Sequence, residues 1–310
     1  MVAIEQLKRA QARLHPHLQP TPLEPAPDLP GVWLKLENAN QTHSFKVRGA
    51  LNAMLSLSPD ERARGVVTAS SGNHAQGIAY AAHLLGVKAR VLMPENVAKR
   101  KAAGVRRWGA DAVLYGANYD ETENEARRIE RDEGLIYISP YNDARVIAGA
   151  GTVGLEIIAA LPDLARVIVP VGGGGLISGI GVAVKALKPS AQVIGVNPAV
   201  SPDMYNVFYD TDLPTSHDTL ADALPGEVEA GSITRDLVRQ HVDSIVLVSE
   251  DAIADAMRWM LGEAGWLVEG GGAVGVAALL SGVTEPVDGA TAIVISGGNV
   301  GLDVVRRVVG

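Results

Sequence analysis

The 310-residue sequence contains no cysteine, which excludes disulfide bonds, thiolate catalysis and cysteine-ligated metal sites. Only two Phe occur, so we expect an aliphatic core built mainly from Val, Leu, Ile and Ala. The first residues include no apolar signal region. The longest apolar stretch, residues 167–184, contains Pro170, a run of glycines and Ser178. It therefore predicts a strand, a loop and a helix rather than a membrane span.

The composition is that of a globular protein rather than a disordered one. Hydrophobic residues make up 47% and charged residues 20% of the chain, and the length fits two α/β lobes or one large one. The net charge of −8 argues against non-specific binding to nucleic acid or to an anionic membrane. We therefore expect a cytoplasmic enzyme with no nucleic-acid or membrane partner.

Short apolar runs alternate with helical patterns from about residue 64 onward, which predicts parallel strands joined by crossover helices. The predicted strands cover residues 65–69, 87–93, 112–115, 135–139, 167–171, 193–196, 244–248 and 292–295. The predicted helices cover residues 73–85, 98–108, 121–133, 146–161, 176–187 and 251–263. Residues 197–227, rich in Pro, Asp and Thr, are expected to be an irregular loop near the site. A lobe boundary is expected near residues 140–143.

A run of glycines, Gly172 to Gly175, separates a predicted buried strand from a predicted helix. Glycines let backbone N–H groups close on an anion, and the helix adds the positive end of its dipole. The run therefore predicts a phosphate cradle, whereas a tight turn would need only one glycine. No Lys-Ser or Lys-Thr follows, which disfavours a nucleoside-triphosphate loop. Residues 149–154 match G-x-G-x-x-G, but a helical pattern precedes them, so we interpret them as small residues for close helix packing.

Three other segments can carry chemistry. Lys46 lies between Phe45 and Val47, and desolvation there would lower its pKa and suit Schiff-base chemistry, although an exposed lysine fits the same local pattern. Residues 70–74 (Ser-Ser-Gly-Asn-His) precede a helix, where they can cap it or bind a substrate carboxylate. Ser296 follows the final buried strand, at the end of a parallel sheet where ligands bind.

Together with Thr21-Pro-Leu and Lys35-Leu-Glu-Asn, these segments resemble the fold-type II pyridoxal-phosphate (PLP) enzymes, in the threonine/serine dehydratase and serine racemase branch. The resemblance runs nearly end to end. It implies an α/β, tryptophan synthase β-like fold of two lobes, with parallel-rich sheets and PLP between the lobes. It also implies a large PLP-binding domain (residues 1–60 and 143–310), a small mobile domain (residues 61–142) and a homodimer.

The resemblance assigns roles to individual residues. Lys46 would form the Schiff base and remove the Cα proton, and Ser71 would be a second acid/base. Asn73 would bind the ring hydroxyl of PLP, the glycines its phosphate and Ser296 its pyridine nitrogen. The implied cofactor-binding residues are Phe45, Lys46, Asn73, Gly172, Gly173, Gly174, Gly175, Leu176 and Ser296. The implied substrate-binding residues are Ser70, Ser71, Gly72, Asn73 and His74.

The implied reaction is β-elimination of L-threonine or L-serine to a 2-oxo acid and ammonia. A serine or aspartate racemase stays open, as does a dehydratase of a 3-hydroxyaspartate-type or hydroxyectoine-derived substrate; the intact Lys46 argues against a non-catalytic relative. Asn197 stands where the racemase-like branch has an acidic residue, and Ser201 and Asp203 align with a later pair. One carboxylate is a weak site for Mg²⁺ or Ca²⁺, so we expect weak cation binding and assign no metal ligands.

Overall fold

The computed structural model describes residues 2–285 and 287–310, and over these residues it forms ten strands and thirteen α-helices. The strands are β1 (Leu23–Pro25), β2 (Val32–Leu36), β3 (Val66–Ala69), β4 (Ala89–Met93), β5 (Asp111–Leu114), β6 (Ile136–Tyr137), β7 (Leu164–Pro170), β8 (Gln192–Pro198), β9 (Ser244–Val248) and β10 (Ala290–Ile295). The helices are α1 (Ile4–Leu14), α2 (Lys46–Leu55), α3 (Pro59–Arg64), α4 (Asn73–Leu85), α5 (Lys99–Arg106), α6 (Tyr119–Glu133), α7 (Ala144–Ala160), α8 (Gly175–Leu187), α9 (Asp203–Tyr209), α10 (Ile233–His241), α11 (Glu250–Gly262), α12 (Gly270–Leu280) and α13 (Leu302–Val309).

The larger sheet has six strands in the order β1-β2-β10-β7-β8-β9. All neighbours are parallel except β1, which runs antiparallel to β2. Ile295 pairs with Leu36, and Pro170 pairs with Val196, so the carboxyl ends of the central strands meet at one edge. The loops that follow β10, β7 and β8 therefore leave the sheet side by side, at the position where parallel sheets bind ligands.

The smaller sheet has four parallel strands in the order β5-β4-β3-β6. Its strands all lie within the 61–142 segment that the sequence analysis assigns to a small mobile domain; the division and the mobility stay predictions. The α/β class with parallel-rich sheets is confirmed. No helix among the described residues is long and apolar enough to cross a membrane.

Glycines in the helices allow close backbone approach around α2. A Cβ on Gly77 of α4 would lie 3.1 Å from the Lys46 carbonyl oxygen, and one on Gly149 of α7 would lie 2.5 Å from the Arg48 carbonyl oxygen. Residues 149–154 are buried inside α7, which confirms the helix-packing interpretation of the G-x-G-x-x-G match. Helix α2 is thus wedged between α4 and α7, so the position of Lys46 at its start is fixed by packing.

One sequence expectation was wrong in part. Residues 197–227 are not wholly irregular, because β8 extends to Pro198 and residues 203–209 form α9. Met204 of α9 is fully buried and belongs to the core cluster under β7 and β8. The short helix is therefore stabilised by tertiary packing rather than by a long local periodic pattern.

Candidate active site

The loop that follows β10 holds the lysine segment in place. Ser44 and Gly297 form an isolated antiparallel bridge, and the Phe45 N–H donates to the Ser296 carbonyl oxygen at 3.0 Å. The Gly298 N–H donates to the His43 carbonyl oxygen at 2.9 Å. These backbone hydrogen bonds place Lys46, the first residue of α2, at the carboxyl edge of the large sheet.

Lys46 lies half-buried, and its ammonium group donates to the Pro140 carbonyl oxygen at 2.8 Å. The Nζ atom is 5.1 Å from the centre of the Phe45 ring. Desolvation lowers the pKa of Lys46 to about 8, and this effect outweighs the opposing attraction of the Glu269 carboxylate. The amine therefore has an appreciable neutral fraction near neutral pH, as a nucleophile or a base requires.

The glycine loop presents a row of free backbone donors. Within the part of the chain that the structure describes, no group accepts a hydrogen bond from the N–H groups of residues 172–176. These residues lead directly into α8, whose N-terminal dipole favours an anion. The Gly173 carbonyl is turned away from the donors and accepts from Thr234 Oγ1 at 2.8 Å. The arrangement fits a phosphate dianion.

Side chains would not fit in this loop. A Cβ on Gly173 would lie 2.5 Å from Cγ of the Tyr141 ring, and one on Gly172 would lie 2.9 Å from the Leu224 carbonyl oxygen. Gly174 has a φ of +84°, in the left-handed region that L side chains rarely adopt. More than one glycine is therefore required here, which the tight-turn alternative does not explain.

The segment from Ser70 to Asn73 lies half-exposed between β3 and α4. The Gly72 N–H donates to Ser70 Oγ at 3.3 Å. The N–H groups of Ser71, Asn73 and His74 have no acceptor within residues 2–285 and 287–310. Because they lie at the N-terminus of a thirteen-residue helix, they fit a substrate carboxylate.

His74 is oriented away from this opening. Its ring is fully buried, and Nε2 lies 3.3 Å from the Ile138 carbonyl oxygen. Since a carbonyl can only accept, Nε2 carries the proton of the neutral ring. Desolvation, together with the positive charge of Lys46, lowers the pKa of His74 to about 3. The substrate role that the sequence predicts for His74 therefore depends on its backbone N–H, and it stays a prediction.

Ser296 emerges directly from β10, and its side chain is buried. Its hydroxyl lies 3.3 Å from the Gly271 carbonyl oxygen, a long hydrogen bond. A hydroxyl rotates freely, so Ser296 can instead donate to a ring nitrogen placed at this edge. The position thus fits the predicted pyridine contact, which stays a prediction.

A carboxylate and an amide to which no sequence motif assigns a role, Glu269 and Asn299, hold the side chain of Asn73. Glu269 Oε1 accepts from Asn73 Nδ2 at 2.6 Å, and Asn299 Nδ2 donates to Asn73 Oδ1 at 2.8 Å. Burial, together with the neighbouring Asp222 carboxylate, raises the pKa of Glu269 to about 7 and outweighs the opposing effect of the hydrogen bond from Asn73. No local pattern in the sequence connects either residue to Asn73.

A buried charge network lies behind Lys46 on the same helix. Arg48 is 2% exposed and binds Glu37 through Nε at 2.7 Å and Glu156 through Nη1 at 2.6 Å. Lys35 Nζ joins Glu156 at 2.6 Å, and Thr21 Oγ1 donates to Glu37 at 2.5 Å. Each buried charge has an opposite partner, and the network ties α2 to β2 and α7, so loss of any one member would leave an uncompensated buried charge.

The side chains that align with the cation-binding residues of the racemase-like branch are hydrogen-bonded within the protein. Asn197 Nδ2 donates to the Val171 carbonyl oxygen at 2.7 Å, and its Oδ1 accepts from the Tyr205 N–H at 3.0 Å. Ser201 Oγ donates to Asp203 at 2.6 Å. Among the described residues, no three His, Cys, Asp or Glu side chains cluster closely enough to hold a metal ion. Weak cation binding stays a prediction.

These features fit PLP. The free N–H groups after β7 suit its phosphate, Lys46 suits its aldehyde, and Ser296 is placed for the edge of its ring. The three come from α2, β7 and β10, which meet at one edge of the large sheet. Site residues predicted from distant parts of the sequence are thus brought together by the fold, whereas their individual contacts with the cofactor stay predictions.

Comparison with known proteins places the chain in a family. Residues 14–298 match the family model described as pyridoxal-phosphate dependent enzyme, so the chain belongs to that family. It is 43% identical to an L-threonine ammonia-lyase of Thermotoga maritima, over 100% of this chain and 78% of the relative. It is 42% identical to the catabolic L-threonine dehydratase TdcB of Escherichia coli K12, over 90% of this chain and 86% of the relative.

Solved structures agree with the fold. Maize serine racemase superposes with a TM-score of 0.92 at 32% identity, covering 99% of this chain and 97% of the other. The threonine deaminase of T.th. superposes with a TM-score of 0.88 at 37% identity, covering 96% of this chain and 99% of the other. The chain is a fold-type II PLP enzyme, as the motifs predicted.

Proposed function

We propose that this chain is a PLP-dependent ammonia-lyase that removes the β-hydroxyl of L-threonine or L-serine and releases a 2-oxo acid and ammonia. The observation that carries the proposal is Lys46, an amine with a pKa of about 8 at the sheet edge where the glycine loop presents its free N–H groups. The relatives named L-threonine ammonia-lyase and L-threonine dehydratase support the same substrate class.

Different groups of the chain take different roles in the proposed reaction. PLP, when bound, supplies the electron sink that makes the Cα–H bond of an amino acid acidic. The N–H groups of residues 172–176 hold the phosphate, and the N-terminus of α4 holds the substrate carboxylate. Lys46 would hold the cofactor aldehyde, and its free amine would take the Cα proton of the substrate. Its lowered pKa makes it a better base at neutral pH than an exposed lysine.

Ser296 supports elimination rather than a long-lived carbanion. A serine hydroxyl is a poor acid, so it would leave the ring nitrogen largely unprotonated. An unprotonated ring stabilises a carbanion less than one paired with an acidic residue. Loss of the β-hydroxyl as water, with its proton supplied through the cofactor phosphate, would then be favoured over slow reprotonation at Cα.

Serine or aspartate racemisation is the second candidate. It is favoured by the structural match to maize serine racemase and by Ser71, whose half-exposed position at the start of α4 suits a second acid/base. Both reactions begin with the same proton removal by Lys46. A 3-hydroxyaspartate-type or hydroxyectoine-derived substrate would share the elimination chemistry.

The remaining features belong to the same proposal. The partner is a small amino acid, and the net charge of −8 disfavours nucleic-acid and anionic-membrane partners. We propose a cytoplasmic homodimer in which residues 61–142 form a mobile small domain that closes over the substrate. Gel filtration with light scattering tests the dimer, and a monomeric active enzyme would contradict it.

The direct test compares two lysine variants. Lys46→Ala should abolish 2-oxo acid release from L-threonine and L-serine and remove the visible absorbance of the lysine-bound cofactor. Lys8→Ala, which removes an exposed lysine of α1, should leave both unchanged. A panel that adds D-serine and 3-hydroxyaspartate then ranks the substrates by rate. Full turnover in Lys46→Ala would contradict the proposal.

A further inference from the structure

Three side chains and one backbone carbonyl form a continuous hydrogen-bond chain along one wall of the site. Asn299 Nδ2 donates to the Thr42 carbonyl oxygen at 2.8 Å and to Asn73 Oδ1 at 2.8 Å. Asn73 Nδ2 donates to Glu269 Oε1 at 2.6 Å. The four groups come from the segment before α2, from α4, from the start of α12 and from the loop after β10.

The polarity of this chain is set by its first member. A backbone carbonyl can only accept, so the Asn299 group that faces Thr42 must be the NH₂. The same NH₂ faces Asn73, so the Asn73 oxygen is the atom that accepts from it. The Asn73 NH₂ is then turned to Glu269, which accepts whether or not its carboxyl is protonated. Asn73 therefore has one allowed orientation, although an isolated asparagine amide has two of nearly equal shape.

This orientation leaves one donor unused. The Asn73 NH₂ carries two hydrogens, and within the described residues only Glu269 accepts one of them. We propose that Glu269 and Asn299 are positioning residues, which hold the Asn73 amide so that its second N–H is available to the ring oxygen of PLP. The inference rests on the proposed function, because the contact between Asn73 and the cofactor is part of it.

The surroundings of the pair support a constrained geometry. Glu269 is 4% exposed, and a Cβ on Gly297 would overlap Glu269 Oε1 and lie 3.1 Å from Asn73 Nδ2. The backbone after β10 therefore packs directly against one side of this hydrogen bond. Because Glu269 is buried, the bond is stronger than one between fully exposed groups and resists reorientation of the amide.

Asn299 provides the sharpest test, because its isosteric replacement reverses the polarity. Asn299→Asp sets a carboxylate against the Thr42 carbonyl and Asn73 Oδ1, so it should turn the Asn73 amide around. We expect the PLP dissociation constant, measured by equilibrium dialysis, to rise about tenfold or more, which corresponds to ~1.4 kcal/mol. Asn299→Ala removes one restraint without reversing it, and the rise should be about threefold. A purely structural role predicts the opposite order, so a milder effect of Asp than of Ala would overturn the proposal.

Glu269 provides a second test that does not depend on reversing the polarity of the hydrogen-bond chain. Glu269→Gln keeps an acceptor for Asn73, and Glu269→Leu removes it. Lys46, Asp222 and Lys101 also act electrostatically on Glu269, but both variants are neutral, so this charge effect cancels between them. The PLP dissociation constant of the Leu variant should exceed that of the Gln variant by about fivefold, as loss of one hydrogen bond of ~1 kcal/mol produces. Equal constants for the two variants would contradict the positioning role.

Asn73→Ala separates failure of this inference from failure of the proposed function. If Asn73→Ala leaves both the PLP dissociation constant and the absorbance spectrum of the bound cofactor unchanged, the contact between Asn73 and PLP is refuted. If Asn73→Ala changes them while Glu269→Leu and Asn299→Asp do not, the contact stands and the positioning role is overturned. Support requires that Glu269→Leu and Asn299→Asp reproduce the spectral shift of Asn73→Ala. Thermal unfolding of each apoprotein checks that the variants fold.

Discussion

Alanine at position 174 measures how strictly the phosphate cradle depends on glycine. Gly174 has a φ of +84°, where a side chain costs ~1–2 kcal/mol. The added Cβ would also lie 2.6 Å from Met204 Cε and 3.1 Å from Thr234 Cβ. The methionine end can move, but Thr234 is tied to the Gly173 carbonyl at 2.8 Å, so the loop itself must shift.

The shift should appear mainly in cofactor affinity. A hydrogen bond from an N–H to a phosphate is charge-assisted and contributes ~1.5–3 kcal/mol. Losing the equivalent of one such bond should raise the PLP dissociation constant of Gly174→Ala by about tenfold to a hundredfold. Equilibrium dialysis of the apoenzyme against PLP measures this directly, and urea unfolding of the apoenzyme gives the backbone cost separately.

Gly86→Ala is the matched control. Gly86 ends α4 with a φ of +65°, is exposed, and has nothing within 4 Å of an added Cβ. The Gly86→Ala variant should lose a similar ~1 kcal/mol of free energy of unfolding through backbone strain and keep the wild-type PLP affinity. If Gly174→Ala binds PLP as tightly as Gly86→Ala does, the loop does not cradle the phosphate.

Three further predictions concern the reaction, the cation and the acid response. Ser71→Ala should remove any racemase activity and leave L-threonine deamination mostly intact. Chiral analysis of L-serine reactions in D₂O, measured alongside pyruvate release, checks this. If the wild type forms D-serine faster than pyruvate, the enzyme is a racemase instead. Because the amide nitrogen and the amide oxygen of Asn197 are both hydrogen-bonded to the protein, a chelator should lower activity less than about twofold. A larger loss that Mg²⁺ restores would contradict this. His74 has a folded-state pKa of about 3 against 6.5, so the unfolded chain binds the extra proton in that window, and the free energy of unfolding falls as pH drops below 6.5. His74→Gln should flatten this slope by up to about 1.4 kcal/mol per pH unit in urea titrations, and an unchanged slope would show that His74 is not the group responsible.

The alternation of strands and helices was predictable because parallel strands buried on both faces appear as short continuous apolar runs. The glycine loop was predictable for a related reason, because it follows a buried strand and the carboxyl ends of parallel strands converge, as at Ile295 and Leu36. Lys46 has no such local signal, since an exposed lysine fits the same pattern, and its predicted role came from the resemblance of its segment to the family's lysine motif. The sequence by itself thus determined the class of fold and the cofactor family, and it predicted the main segments of the candidate site.

Tertiary structure decided what local pattern could not express. Helix α12 begins with three glycines, which are poor helix formers and give no helix signal in the sequence. Glycine is required there because a Cβ on Gly270 would collide with the backbone of Leu220, and one on Gly272 with the backbone of Gly297. Glu269 and Asn299 meet Asn73 across separations of 196 and 226 residues. No periodicity spans such distances, since helix and strand patterns report only neighbours along the chain. The orientation of the Asn73 amide, and with it the geometry of one wall of the site, is therefore a property of the folded chain.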